Sequence, residues 1–146
     1  MTLAVAIADQ IARPIPRDLA PTVSLMFANK PRWLESVEGQ IAELRSLPFG
    51  WDAFGAGPLR HDVLWFALSV LETVMSDDTP PPHITPMSHE GIMLEWHRNG
   101  IDFEIEIERP GEAHVTCDNH LTGTSDNWTV RANMTSLVRP IEMIAG

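Results

Sequence analysis

The sequence predicts an α+β fold: an antiparallel β-sheet of three to five strands with helices packed on one face. Three observations carry that prediction. Apolar residues recur at spacings of three and four up to residue 75, the period of an amphipathic helix. From residue 91 they alternate with polar residues, the period of a strand with one buried face. Between two alternating runs stands Asn99-Gly100, the pair suited to a two-residue type I′ hairpin turn, which needs positive φ at both positions.

The elements follow in chain order. Residues 1–12 read as a short, weakly amphipathic helix. Prolines 14, 16, 21 and 31 exclude a long helix from the stretch after it. The apolar group Val23, Leu25, Met26 and Phe27 there suits a short strand or helical turn laid on the core. Residues 1–31 are therefore expected to be a Pro-rich extension packed on or beside a single domain spanning 1–146. Residues 32–46 are predicted helical, because Trp33, Leu34, Val37, Ile41 and Leu44 fall on one stripe and Pro48 ends the run. Residues 59–75 form the strongest helical pattern. Leu64, Leu68, Leu71 and Met75 make a stripe, and Val63, Ala67, Val70 and Val74 widen it, as expected of a helix laid on a sheet. Pro80, Pro81 and Pro82 then form a rigid connector.

A two-residue loop at Asn99-Gly100 sets the register of the hairpin 91–97/101–108. It places Trp96 opposite Phe103, Leu94 opposite Ile105 and Ile92 opposite Ile107. The other face then opposes Glu95 to Glu104 and His97 to Asp102. A third strand, 112–118, keeps its faces consistent only with an odd loop or a bulge near a left-handed Gly111. Ile105 then pairs with Val115, Phe103 with Cys117 and Glu106 with His114. His83-Ile84-Thr85 suits an edge strand, and residues 127–131 a further strand with Trp128 and Val130 inward. Residues 133–144 suit a short terminal helix interrupted at Pro140.

Charge narrows the function. The net charge of −10 lies almost wholly between residues 72 and 126, which carry twelve acids against two arginines. Such a segment repels phosphate backbones, so direct nucleic-acid binding is disfavoured and a protein partner with a basic surface is compatible. No run approaches the roughly 20 apolar residues of a membrane span, and the N-terminus lacks a basic leader. With one cysteine, Cys117, an internal disulfide and a multi-cysteine metal site are excluded, and the expected compartment is the cytoplasm. Cys117 is expected to face the core with nothing to activate it.

Two stretches are candidates for function. The acids Glu95, Glu104, Glu106, Glu108 and Glu112 fall on one sheet face. Acids directly opposite one another are mildly unfavourable, so stability does not explain their choice. A partner-facing surface would explain it, and so would protection of an exposed sheet against aggregation. His97 and His114 on the same face are a weak hint of a metal. The second candidate is the loop of residues 47–58, with Gly50, Trp51, Asp52 and Gly55. Its composition of three glycines and three large aromatics marks a packed loop rather than a linker. The structural reading makes Trp51 a plug joining the 59–75 helix to the hairpin, with Asp52 holding the turn. The functional reading makes both a ligand contact. The glycines form no phosphate cradle, since no lysine accompanies them. Neither a zinc-protease pair of histidines nor a nucleophile motif is present, so no catalytic residue, metal or cofactor is assigned.

The pattern Leu47-Pro48-x-Gly50-Trp51-Asp52-x-x-Gly55-Ala56-x-Pro58, followed by Gly91-Ile92-x-Leu94-Glu95-Trp96, resembles a group of small, largely uncharacterised bacterial and mobile-element proteins. In that group the loop commonly reads Gly-Trp-Asp-Gly-x-Gly-Ala and the strand entry Gly-Gly-Ile; this chain has Ala53 and Glu90 at the two departing positions. The likeness covers roughly residues 44–108 and implies no activity. It does imply an accessory or defence-related context. The leading expectation is a small non-enzymatic module that binds another protein through the acidic face, antitoxin-, immunity- or inhibitor-like. The alternatives are a metal-dependent or small-molecule enzyme using the Trp51-Asp52 loop with His97 or His114, and a structural subunit that oligomerises by its sheet edge.

Overall fold

The hairpin turn organises the sheet. In the computed structural model, which describes residues 30–52, 55, 57 and 59–146, Asn99 (φ 56°) and Gly100 (φ 72°) both take the left-handed conformation that a type I′ turn needs. The turn joins strand β2 (Ile92–Arg98) to β3 (Ile101–Arg109). The register is the one the turn dictates, with Ile92 opposite Ile107, Leu94 opposite Ile105 and Trp96 opposite Phe103. Strand β4 (Glu112–Asn119) pairs with β3 through Phe103–Cys117, Ile105–Val115 and Glu106–His114. A register shift between Glu106 and Arg109 and a left-handed Gly111 (φ 86°) keep the two faces consistent. Strand β1 (His83–Pro86) pairs with β2, and β5 (Thr124–Arg131) with β4, which completes a five-stranded antiparallel meander.

Helix α1 (Leu34–Arg45) contacts β1, and α2 (His61–Val74) contacts β2 and β3. The breadth of the apolar stripe on α2 is used in full: Val63, Leu64, Trp65, Ala67, Leu68, Val70, Leu71 and Val74 are all buried. Facing them, Ile92, Leu94, Phe103, Ile105, Ile107, Ala113 and Val115 have no measurable exposure. Each such large aliphatic or aromatic side chain contributes about 1.5–3 kcal/mol by leaving water. An aromatic row, Trp96–Phe103–Trp128, crosses this face with ring centroids 6.0 and 6.4 Å apart. The Trp96 indole donates to the Pro80 carbonyl at 2.8 Å, pinning the proline connector onto the hairpin.

The two sheet edges are guarded differently. On β1, the Gln40 side chain accepts from the Ile84 N–H at 2.7 Å and donates to the Pro82 carbonyl at 2.8 Å, taking the place of a neighbouring strand. Pro86 removes the next donor on that strand. On β5, Asp126 lies opposite Cys117 on the core side of the sheet, and an inward-directed charge discourages further pairing.

Several elements differ from expectation. Strand β5 begins at Thr124 rather than 127. Pro140 does not interrupt the last helix. After a 3₁₀ turn at Met134–Leu137, α3 (Val138–Ala145) carries Pro140 in its first turn, where the missing N–H has no intrahelical partner to lose. The Asn99 side chain donates to the Ile144 carbonyl at 3.1 Å and ties this helix to the hairpin tip. The expected helix at 1–12, the group Val23–Phe27 and nearly all of the 1–31 extension lie outside the described residues, as does Phe54.

Candidate functional site

Strict alternation on β2 and β3 delivers the acids to the face opposite the helices. Glu95 lies directly across from Glu104, Glu106 is flanked by Met93 and His114, and Asp102 lies across from Asp118. Among the described residues no lysine or arginine pairs with Glu95, Glu104 or Glu106. Partial burial, together with the charges of Glu95 and Glu106, holds the Glu104 carboxyl above its ordinary range. Glu112 stands apart. It receives hydrogen bonds from Arg109 at 3.0 Å and Arg131 at 2.9 Å, and the Arg109 contact, supported by Arg131, lowers its pKa. Its charge is thus already answered, whereas among the described residues no lysine or arginine pairs with the carboxylates of Glu104, Glu106 or the exposed Glu108.

Beside the acids runs a line of histidines. The His83 ring lies 3.5 Å from Glu95, which also accepts from the Thr85 hydroxyl at 2.5 Å. His97 lies 3.8 Å from the other Glu95 oxygen and bonds Asp102 at 2.8 Å. His120 bonds the second Asp102 oxygen at 2.6 Å. The backbone N–H of His120 donates to the Gly100 carbonyl at 2.8 Å, which brings its ring over the face. The hydrogen bonds to Asp102 raise the pKa of both imidazoles and lower that of the carboxyl. The facing of His97 and Asp102 is legible from the hairpin register. His120 is also on this face by the same alternation, two residues beyond Asp118, but its recruitment depends on how the β4–β5 turn folds back. His114 belongs to the opposite end, bonded to Thr129 at 3.1 Å, four residues along β3 from the His97 level, or about 13 Å. Among the described residues no three His, Cys, Asp or Glu side chains converge to hold a metal ion.

The loop borders a groove that the sequence does not reveal. The Trp51 N–H donates to the Pro48 carbonyl at 3.2 Å, closing a turn whose third residue, Gly50, has φ 74°. Gly55 is likewise left-handed, at φ 88°. Half-buried Trp51 then lines a groove of about 490 Å³ between α1 and β1, with Gln40, Leu44, Leu47, His83 and Thr85. On its groove side its neighbours are therefore the first helix and the edge strand. Phe49 is mostly exposed, with 76% of its surface open to solvent. Asp52 is half-buried beside Trp51. The loop does approach the strand entry at Gly57, where a Cβ would meet the Glu90 carboxyl group. Glu90 itself adopts φ 65°, a conformation glycine takes more readily.

The groove and the acidic face share β1, because His83 and Thr85 line the first and touch Glu95 of the second. Cys117 is half-buried on the core side, and burial together with Asp126 and Asp118 pushes its thiol pKa up, away from nucleophilic chemistry. No helix among the described residues is long and apolar enough to cross a membrane.

No family model, curated protein or solved structure matches the chain.

Proposed function

We propose that this chain is a small, non-enzymatic module that binds a protein with a basic surface through the outer face of its sheet. Glu95, Glu104, Glu106 and Glu108 form the binding surface, with Glu112 at its rim. One observation carries the reading: Glu95 and Glu104 are directly opposed, with Glu106 beside them, and among the described residues no lysine or arginine pairs with any of the three. Like charges in direct cross-strand register cost stability, and a cationic partner would relieve that cost. An antitoxin-, immunity- or inhibitor-like role in a bacterial cytoplasm is the context that the loop and strand-entry resemblance supports.

The test is capture of partners from the host by the wild-type protein and by the double variant Glu104→Lys/Glu106→Lys. The variant is expected to fold at least as stably and to bind a captured partner at least tenfold more weakly, the loss expected when several interfacial charge contacts are reversed. Equal binding by the variant would reject the reading.

The groove beside Trp51 favours a second reading, a small-molecule site. Its volume of about 490 Å³ suits a small ligand, and an aromatic wall stands beside polar groups. Neither His97 nor His114 lines it, so any chemistry there would draw on His83, Glu43 and Thr85.

A further inference from the structure

Five side chains cross the outer face as an unbroken alternation of imidazole and carboxylate: His83 on β1, Glu95 and His97 on β2, Asp102 on β3, and His120 after β4. We propose that this line sets the charge of the acidic face by proton uptake, so that a cationic protein binds tightly when His97 and His120 are neutral and is released when they are protonated. The inference rests on the reading of the acidic face given above and adds its regulation.

The geometry supplies both the proton sites and their coupling to the binding surface. His97 faces Glu95 on its own strand and Asp102 and Glu104 from β3. His120 faces Asp102 from β3 and Asp118 from β4. His83 approaches the line from β1 through Glu95. From β5, the Ser125 hydroxyl donates to Asp118. Among the described residues no lysine or arginine pairs with any of the five, so each added proton enters a field that is otherwise negative.

Asp102 is the centre of the device. One carboxylate oxygen bonds His97 and the other His120, so two imidazolium ions are stabilised by one fixed anion. Their pKa values are correspondingly raised from the ordinary 6.5, which moves protonation toward neutral pH. The added charge on His97 falls beside Glu95 and Glu104, the opposed pair at the middle of the surface. Proton uptake therefore compensates the charge that a basic partner would otherwise compensate, and the two compete without needing the same contact.

The experiment uses the full chain and a ten-lysine peptide blocked at its N-terminus by a pH-insensitive fluorophore, so that its charge is constant between pH 6 and pH 8. Imidazole titration by NMR is measured alongside peptide anisotropy at low salt, for the wild type and for His97→Gln/His120→Gln. Two imidazoles are expected to titrate above 6.5, and peptide affinity to fall about fivefold from pH 8 to pH 6, the effect of one or two exposed charges. The double variant should bind at pH 8 as the wild type does and lose most of the pH dependence. Imidazoles titrating at or below 6.5 would overturn the proposal, as would affinity that does not change with pH. Dependence on pH retained in the variant would also overturn it and assign the effect to groups other than His97 and His120, His83 beside Glu95 among them. Absence of peptide binding at every pH would reject the acidic face itself, and the gating with it.

Discussion

On β3, Phe103, Ile105 and Ile107 have no exposure, while Asp102, Glu104 and Glu106, each one residue away, stand half-exposed on the other side of the same strand. The inner row is held by burial against α2 and by the Trp96–Phe103–Trp128 ring contacts. The outer row includes acids set directly against acids, an arrangement that works against the fold. One face explains why the domain exists, and the other has a composition that folding alone does not require. That contrast is what points the functional reading to the outer face.

The contrast is broken most severely from the inside. Phe103→Ala removes a sealed ring between two tryptophans and is expected to destabilise by about 3–5 kcal/mol, measured by urea unfolding. A loss under about 1 kcal/mol would mean that the ring contributes far less than its burial implies. Next comes the entry to the hairpin. A Cβ on Gly91 would stand 2.7 Å from the Ile107 carbonyl, so Gly91→Ala must push β2 away from β3. The expected cost is about 1–3 kcal/mol, with hydrogen exchange rising at the Ile92 end of the sheet.

The smallest effect has the opposite sign. Glu104→Gln is expected to leave the fold intact and to raise stability by about 0.5 kcal/mol at pH 7 while weakening partner binding. The sign follows from the titration. The folded protein holds the Glu104 proton more firmly than the unfolded chain does, so wild-type stability falls as pH rises through the raised folded value. The advantage of the variant should therefore vanish below about pH 4 and reach a plateau above the folded value. Unfolding curves at pH 4 and pH 7 check this, and an advantage confined to the acid end would show that the Glu104 carboxyl is not under the strain its neighbours imply.

Local rules were sufficient wherever two of them agreed. Turn chemistry at Asn99-Gly100 and the apolar alternation of residues 101–108 demand the same register, and β2 and β3 pair in that register. The left-handed Gly111 and the bulge before it followed from the need to keep Ile105 and Val115 on one face. The acidic face is legible for the same reason, since alternation transmits side-chain direction along a strand without reference to anything distant. The loop shows where this fails. Its composition marks Trp51 as packed but names no partner, because the contact depends on where α1 is carried relative to β1. Burial of Leu34, Val37, Ile41 and Leu44 holds α1 against the core, and Gln40, forty-four residues from Ile84, bonds the edge strand in place of a neighbour.

The sequence by itself therefore determined the two main helices, the pairing of the central strands and the sign of each face, all consequences of periodicity and turn geometry within short stretches of chain. Only the tertiary structure decided that Trp51 joins α1 to the sheet edge, that Arg109 and Arg131 withdraw Glu112 from the free acids, and that His120 folds back to share Asp102 with His97. Each of these depends on the direction in which a loop returns, and that direction is chosen by the energy of the whole packed domain rather than by the residues of the loop.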